Sequence, residues 1–569
     1  MFFTHGADPD GRGALQSAVM STSLEKVFAY HDATKHHFNA YAPGPGFLDW
    51  ATQPDPFRRY AGCEVVPLDK FPRADGPAYA RVLIEGGVEP AALTRETVSR
   101  LLFDSLALSA WKQAGQSRWA LRVNPSSGNL HPTEACLISG PVSGLFDTPA
   151  VCHYAPLIHA LEVRTRFAPE GWRDLVADLP PQSLIVGLSS IYWREAWKYG
   201  SRAFRYCQHD TGHAIAALGF AAAALGWKAT LLDDLGDEAI AALFGLSREH
   251  GPEAERPECL LAVYPQTHAC LARTLPRAAI QAIAQGEWCG TPNILSPDHR
   301  SWPIIDEVDA ATRKAGGVAP YHAATSAQWI EPDSADTSVL LRQLVHRRRS
   351  AVAMDGKTGV SRAAFLSMLQ RCLPDTRRFP FNALPWPSAV HLLLFVHRVQ
   401  DVPPGLYLLI RDPAKKKEMQ EAFAREFDWT GLEGCPETLP IYALTAGDCR
   451  KLAERVSCHQ EIAADGAFAV AMLAEFEQPL RACGPWFYRR LYWECGAIGQ
   501  LLYLEAEAHG IQATGIGCYF DDPVHEVLGL RDRRYQSLYH FTLGAGVPDT
   551  RLTTLPPYVE TGQSTTEHT

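Results

Sequence analysis

At 569 residues the chain is too long for one ordinary domain, and its length alone predicts two to four. Hydrophobic residues make up 46% and charged residues 20%, a globular composition with ample core that excludes fibrous and intrinsically disordered chains. A formal charge of −10 argues against a protein that grips nucleic acid over a broad basic face, while leaving room for a local cluster that binds one small anion.

The first 45 residues read as a peripheral N-terminal arm. Their opening, MFFTHGADPDGRG, breaks into Asp, Pro and Gly too early for a signal-peptide core. Next comes an amphipathic helical pattern, LTRETVSRLLFDSLALSAW from Leu93, then the turn-like NPSSGN, Asn124 to Asn129, and the apolar strand EACLIS. After REAWKYGSRAFRY, Arg194 to Tyr206, runs a long helix that is apolar nearly all round, a pattern of burial. A stretch rich in Pro, Asp, Ser and Thr, 291–339, reads as a linker. The order then repeats: the helical SRAAFLSMLQRCL, a Pro-Ser loop PSAVH (Pro387 to His391), the strand-like LLLFVHRV and a second long helix. A polar tail, 558–569, closes the chain. Fourteen cysteines show no C-x-x-C or other ligand spacing, so no metal site is expected, and reduced thiols in a cytoplasmic protein are. No apolar run of about 18 residues predicts a membrane span.

The repetition is measurable. YCQHDTGHAIAALGFAAAALGWKAT and RLYWECGAIGQLLYLEAEAHGIQAT each carry two glycines fourteen residues apart, Gly212 and Gly226 in one, Gly496 and Gly510 in the other. Each second glycine is followed by Ala-Thr, then by an Asp-Asp pair (Asp233-Asp234, Asp521-Asp522) and a Gly-Leu (Gly245-Leu246, Gly529-Leu530), at a constant or near-constant offset of 284 residues. Such punctuation marks a duplicated domain of helices against a sheet, with the second glycine as a helix C-cap.

These pieces in this order resemble the nitroreductase-like flavoproteins, and the branch most similar is that of the azoline dehydrogenases, which oxidise peptide thiazolines and oxazolines. The resemblance covers roughly residues 46–555. It implies an α+β fold: two nitroreductase-like domains (46–290 and 340–557), each a mixed sheet flanked by helices, fused as an intramolecular pseudo-dimer. Members of that family are homodimers with FMN at the interface, so the fused chain is expected to bind FMN, with NAD(P)H as the candidate electron donor, and to be monomeric. By the same resemblance, Arg348, Arg349 and Ser350 in HRRRS hold the flavin phosphate and ribityl chain, with Arg551 adding a further cation. Pro125, Ser126, Ser127 and Asn129 contact the flavin from the other domain. Gly515, Gly517 and Cys518 in TGIGCYFDD bring backbone N–H groups to its N5, and Lys198-Tyr199 supplies the catalytic pair. The physical fit is direct: guanidinium forks match phosphate oxygens, and short hydroxyls and amides donate without adding charge.

Sorted by half, the intact motifs are complementary. The second half keeps HRRRS and the glycine loop; the first keeps NPSSGN and Lys198-Tyr199. The reciprocal set looks degenerate: FRRY (Arg58, Arg59) in a comparable place without the serine, a shortened TLLDD, and PSAVH. One complete site is expected. The reaction classes that remain are dehydrogenation of a C–N bond in a small molecule or modified peptide, favoured slightly by Lys198-Tyr199, and reduction of a nitro or quinone-type acceptor. The alternative is a redox-inactive scaffold that binds FMN or a peptide for regulation. No G-x-G-x-x-G or Walker motif supports a nucleotide-fold enzyme, and no G-x-S-x-G elbow a hydrolase.

Overall fold

The computed structural model describes residues 12–318, 338–375 and 379–558. The first eleven residues of the arm, 319–337 of the linker and the tail beyond Tyr558 lie outside them.

In the first half the strands are β1 (Glu64–Pro67), a hairpin β2 (Leu108–Ala114) and β3 (Ser117–Arg122), then β4 (Thr133–Ser139), β5 (Ala150–Ala155), β6 (Ala160–Arg166), β7 (Leu184–Ser190), β8 (Trp227–Leu231) and β9 (Arg256–Pro265). Seven of them pair in the order β1-β6-β5-β4-β7-β9-β8. The second half has β10 (Val390–Val396), β11 (Gly405–Leu409), β12 (Thr430–Gly431), β13 (Ile441–Ala446), β14 (Phe468–Glu475), β15 (Gln512–Ile516) and β16 (Tyr535–Gly544), in the order β12-β13-β11-β10-β14-β16-β15. The two orders are the same; only the first edge strand enters the chain at a different point. Central strands such as β4 and β10 are buried along both faces, which is why they read as continuous apolar runs and not as alternation. The ladders are antiparallel, and among the described residues the parallel pairings are the isolated bridges Ser350–Ala513, at the edge of β15, and Val360–Val399. A last strand, β17 (Thr553–Leu555), leaves the second half and pairs with β2 of the first.

The helices are α1 (Arg12–Ala33), α2 (Arg95–Phe103), α3 (Tyr192–Tyr199), α4 (Ala203–Ala223), α5 (Asp237–Phe244), α6 (Leu341–Arg347), α7 (Arg362–Arg371), α8 (Phe487–Ala508) and α9 (Asp521–Leu528). The amphipathic segment from Leu93 to Trp111 is only half helix. Beyond Phe103 the spacing of Leu106, Leu108 and Ala110 switches to a period of two, and β2 begins.

The repeated glycines mark where the halves meet. A Cβ at Gly212 of α4 would stand 2.3 Å from the Trp493 carbonyl oxygen of α8, and one at Gly496 would stand 2.3 Å from the His209 carbonyl oxygen and 2.8 Å from Gly212 Cα. The two long helices therefore cross backbone to backbone. The second glycines, Gly226 and Gly510, follow the C-caps Ala224 and His509 and have φ of 67° and 72°, the left-handed conformation that ends a helix. A second crossing joins Ala78 and Leu340 in an antiparallel bridge, with Tyr79 N–H donating to Val339 O (2.8 Å) and Leu341 N–H to Pro77 O (3.1 Å).

Within the segment read as linker, Thr291–Pro292 pairs with Tyr60–Ala61, and Pro303–Ala311 is helical. The arm is not peripheral. Val27, Tyr30 and His31 are buried, Lys35 pairs with Asp522, and His36 N–H donates to the Asp521 carboxylate (2.9 Å). Its polar contacts are made with both halves, Ser201, Arg202 and Arg205 of the first and Asp521 and Asp522 of the second, which no local periodicity announces. Among the described residues no helix is long and apolar enough to cross a membrane.

Candidate active site

A cavity of about 670 Å³ opens between the halves, flanked by α4 and α8. That size is ordinary for a small-molecule or cofactor site. The first half contributes the β2–β3 hairpin, the Asn124–Asn129 loop, the end of α3 and one face of α4; the second contributes Arg348 to Val352, β15 with its following turn, and Tyr539 of β16.

One end of the cavity is cationic. Arg348 is buried; its Nη2 donates to Arg122 O (3.1 Å) and its Nε has no partner. Arg349 donates to Ser109 Oγ (3.2 Å), His346 O (3.0 Å) and Arg348 O (2.6 Å), and burial, with the Arg348 charge behind it, pulls it down to about 9. Arg122, from β3, donates to Thr133 O (3.2 Å) and Pro56 O, keeps an unpartnered Nε, and is lowered by burial to about 10. Lys112 of β2 donates to Thr554 Oγ1 (2.7 Å) and is lowered by burial and by Arg349. All these acceptors are neutral. Buried cations with only neutral acceptors are electrostatically incomplete, and an anion such as a phosphate would complete them. The bridge of Ser350 to Ala513 and the Ala351 N–H donated to Ala513 O (3.0 Å) fix this segment against β15. Ser350 Oγ lies 2.7 Å from Tyr503 Oη, which also accepts from Gly515 N–H (2.9 Å).

Arg58 and Arg59 are outside the cavity and are already neutralised. Arg58 donates to the Asn293 and Glu253 carbonyls and lies 3.6 Å from Glu255; Arg59 pairs with Glu162. Nor are they in the comparable place. The crossing of Ala78 with Leu340 sets the register between the halves, and the counterparts of Arg348 to Ser350 fall at Gly86, Gly87 and Val88, where no cation stands. FRRY misled because two adjacent arginines carry no register information.

The Asn124–Asn129 loop is held from below. Asp210 of α4 accepts from Ser127 N–H (3.0 Å) and Ser127 Oγ (3.1 Å), and burial pushes its carboxyl up to about 7. Ser126 Oγ accepts from His131 N–H (2.8 Å), and Asn129 Nδ2 donates to Ala120 O (2.8 Å). Pro125, Ser126, Ser127 and Asn129 all line the cavity, yet the Ser127 and Asn129 side chains spend hydrogen bonds on shaping the loop. The device is repeated: Glu494, 284 residues after Asp210, accepts from Ser388 Oγ (2.7 Å) and Ala389 N–H (3.0 Å) in PSAVH. Sequence reasoning missed the Asp210/Glu494 pair although the constant offset contained it.

Gly515, Gly517 and Cys518 line the wall opposite. The glycines are needed for protein rings first. A Cβ at Gly517 would meet Tyr206 Cε1 at 2.4 Å, and one at Gly515 would meet Tyr539 Oη at 2.1 Å. Their empty Cβ positions are filled by aromatic side chains, which line the cavity in turn.

Tyr199 and Lys198 separate. Tyr199 lies on the cavity wall, its Oη where a Cβ at Gly128 (φ 58°) would be 2.5 Å away, and its ring centroid is 4.5 Å from that of Tyr206. Burial pushes its phenol well up. Lys198 is half-buried behind it, Nζ 5.3 Å from the Tyr199 ring centroid, and does not line the cavity. Adjacent residues on a helix do not share a face, and that alone separates the pair. Arg551 is also outside: it is exposed and tied to Asp549 (2.8 Å) two residues back, and it is Asp549 that reaches the rim. Arg122, Lys112, Asp210 and Tyr206 are wall residues that sequence reasoning did not name.

Residues 380–545 match the profile of the Nitroreductase family. No curated protein matches the chain by sequence. A crystal structure from Anabaena variabilis, assigned as a nitroreductase, is similar over 92% of this chain and 99% of its own, with a TM-score of 0.65 and 20% identity. Shorter similarities are to the E. coli microcin synthetase McbBCD complex with truncated pro-MccB17 bound (TM-score 0.26, 17% identity, 36% of this chain and 70% of that one). Another is to a protein from Exiguobacterium sibiricum, assigned as a nitroreductase and in complex with FMN (TM-score 0.19, 14% identity, 36% and 88%). The chain thus has the nitroreductase fold, and its second half carries a Nitroreductase family domain.

Proposed function

We propose that the chain is an FMN-dependent oxidoreductase that holds one flavin in the interdomain cavity. The observation that carries this is the group formed by the buried Arg122 and Arg348 and the half-buried Arg349, whose acceptors are all neutral, at one end of a cavity walled by both halves. The FMN phosphate suits that end bidentately, while the Pro125–Asn129 loop and the Gly515–Cys518 turn flank the remainder. When bound, the flavin supplies hydride transfer. The chain's own contribution is to bind, to exclude water and to move a proton. Tyr199 is the wall residue suited to the last task. Its phenol is held protonated by burial, so it acts as a donor. A donor fits the reduction of a nitro or quinone-type acceptor. Dehydrogenation of a C–N bond needs a base instead, and Lys198, the candidate, stands behind Tyr199 and off the wall.

Purified protein supplied with FMN is expected to be yellow, to release FMN and not FAD on heating, and to bleach with NAD(P)H and regain colour with a quinone. FAD, or no flavin at all, would overturn the reading. A flavin that only dithionite bleaches would leave a binding scaffold in its place.

A further inference from the structure

The wall that carries Cys518 holds a second chemistry. Cys518 Sγ lies 2.8 Å from Cys458 Sγ, and no other two of the fourteen cysteines are so placed among the described residues. The approach is built by the backbone. Phe520 N–H donates to Val456 O (2.8 Å), and the Gln460 amide spans Cys518 O (2.8 Å) and Ser457 O (2.9 Å), stitching the turn after β15 to the turn at 457–460. Cys458 and His459 both have left-handed backbones, with φ of 55° and 56°, a conformation few non-glycine residues adopt. Cys518 also faces the cavity.

A third group completes the pair. His36, from the arm, stands beside Cys518 and interacts with it electrostatically. Its Nδ1 accepts from Ala42 N–H (2.9 Å), so in the neutral ring the proton is on Nε2. Around the pair stand Arg202 and Asp521, which are ion-paired to each other (2.9 Å), and the phenols of Tyr41, Tyr199 and Tyr206. The S–H···S bond to Cys458, then His36 and Arg202, hold the Cys518 thiol down to about 5, while the same bond and burial push Cys458 up. The two thiols are pushed in opposite directions, which is the asymmetry of a nucleophilic and a resolving thiol.

We propose that Cys518 and Cys458 form a dithiol–disulfide site on the cavity wall, with low-molecular-weight disulfides as its substrate class. Cys518 sulfur attacks one sulfur of R–S–S–R; that S–S bond breaks, RS⁻ leaves, and a Cys518–S–S–R mixed disulfide forms. Cys458 then gives its proton to the departed thiolate, and its sulfur attacks Cys518 Sγ, expelling the second RS⁻. Two protein thiols are oxidised to one disulfide, and R–S–S–R is reduced to RSH and RS⁻. The product ties the turn at 457–460 covalently to the turn after β15, so the wall of the cavity becomes a function of thiol state. The inference does not rest on the flavin reading.

The test uses the full-length protein as isolated, oxidised glutathione as the probe, and peptide mapping without reduction. A Cys458–Cys518 cross-link that dithiothreitol reverses is expected. C458S should stop at glutathione on Cys518, and C518S should leave Cys458 unmodified. Alkylation of Cys518 by iodoacetamide should be nearly flat between about pH 6 and 8, where an ordinary thiol such as the exposed Cys289 climbs roughly tenfold per unit. Absence of the cross-link, equal glutathionylation of the two single variants, or a Cys518 profile that climbs like that of Cys289 would overturn the proposal.

Discussion

At the scale of single residues, the arginines differ by what surrounds them and not by their number. Replacing Arg348 with Ala removes a buried guanidinium with an unpartnered Nε and only a neutral acceptor. A charge-assisted phosphate contact of on the order of 1.5–3 kcal/mol goes with it, so FMN affinity should fall roughly ten- to a hundredfold in a fluorescence titration. Arg58→Ala disturbs carbonyl and Glu255 contacts remote from the cavity and should lower stability while leaving the Kd for FMN nearly unchanged; equal losses of affinity at both positions would contradict the assignment. Asp210 gives a pH signature. Burial raises its folded value to about 7 from an ordinary 3.8. The folded state then holds a proton that the unfolded chain has released, so the contribution is full below about pH 4 and is lost as pH rises through about 7. Asp210→Asn still accepts from Ser127 and cannot ionise. Its stability relative to wild type should therefore improve by on the order of 2–3 kcal/mol between about pH 5 and 8. A stability difference that stays constant across that range would mean Asp210 ionises normally. Of the wall residues, those in short polar motifs were legible in the sequence: the arginine pair, the Pro-Ser loop and the glycine turn. Arg122 and Lys112 were not, because a hairpin delivers them from outside the sheet and nothing local distinguishes them from surface cations.

At the scale of elements, the two long helices are where sequence spoke most clearly, since two glycines at one spacing and one offset were visible without coordinates. What they could not reveal is their use. Gly226 and Gly510 stand just past the C-caps Ala224 and His509, in the left-handed conformation that ends a helix, but Gly212 and Gly496 exist for each other. Gly212→Ala would push a methyl onto the Trp493 carbonyl at 2.3 Å, backbone that cannot rotate aside. Overpacking of this kind costs roughly 1–3 kcal/mol and should lower the Tm accordingly. Gly219→Ala, on the same helix, meets nothing nearer than 4.0 Å and should instead stabilise by about 0.5–1 kcal/mol through helix propensity. Calorimetry showing the same sign for both would mean that helix propensity, and not the crossing, governs these positions. The helix expected through Trp111 and the peripheral arm failed for a shared reason. β2 is paired by β17 from the far end of the chain, and the arm is held by Asp521 and Asp522, so both are determined by partners more than 400 residues away.

At the scale of the whole molecule, the two halves share one strand order and differ in the walls they turn toward each other. The sheets keep one strand order, the helix crossing keeps its glycines, and Asp210 and Glu494 keep the same hold on their loops. Among the described residues the cation-rich wall is present once. On the reciprocal side the register of the Ala78–Leu340 crossing puts Gly86, Gly87 and Val88 opposite Arg348, Arg349 and Ser350, and β8 runs directly into Leu232 and Asp233 with no counterpart of the Gly515–Cys518 turn. Even Glu494 is answered there by Arg411, an internal cation that pairs with an internal carboxylate, its Nη2 alone keeping no partner. A phosphate-bearing cofactor would find neither a guanidinium without a carboxylate nor a glycine turn in that position. Titration of flavin-stripped protein should therefore saturate near one FMN per chain, with a single binding phase by calorimetry, and Arg348→Ala should weaken that phase without uncovering a second. Two equivalent sites per chain would show that the fold alone, without the arginines, suffices to hold the cofactor, and the reading of the cationic end as its anchor would have to be abandoned.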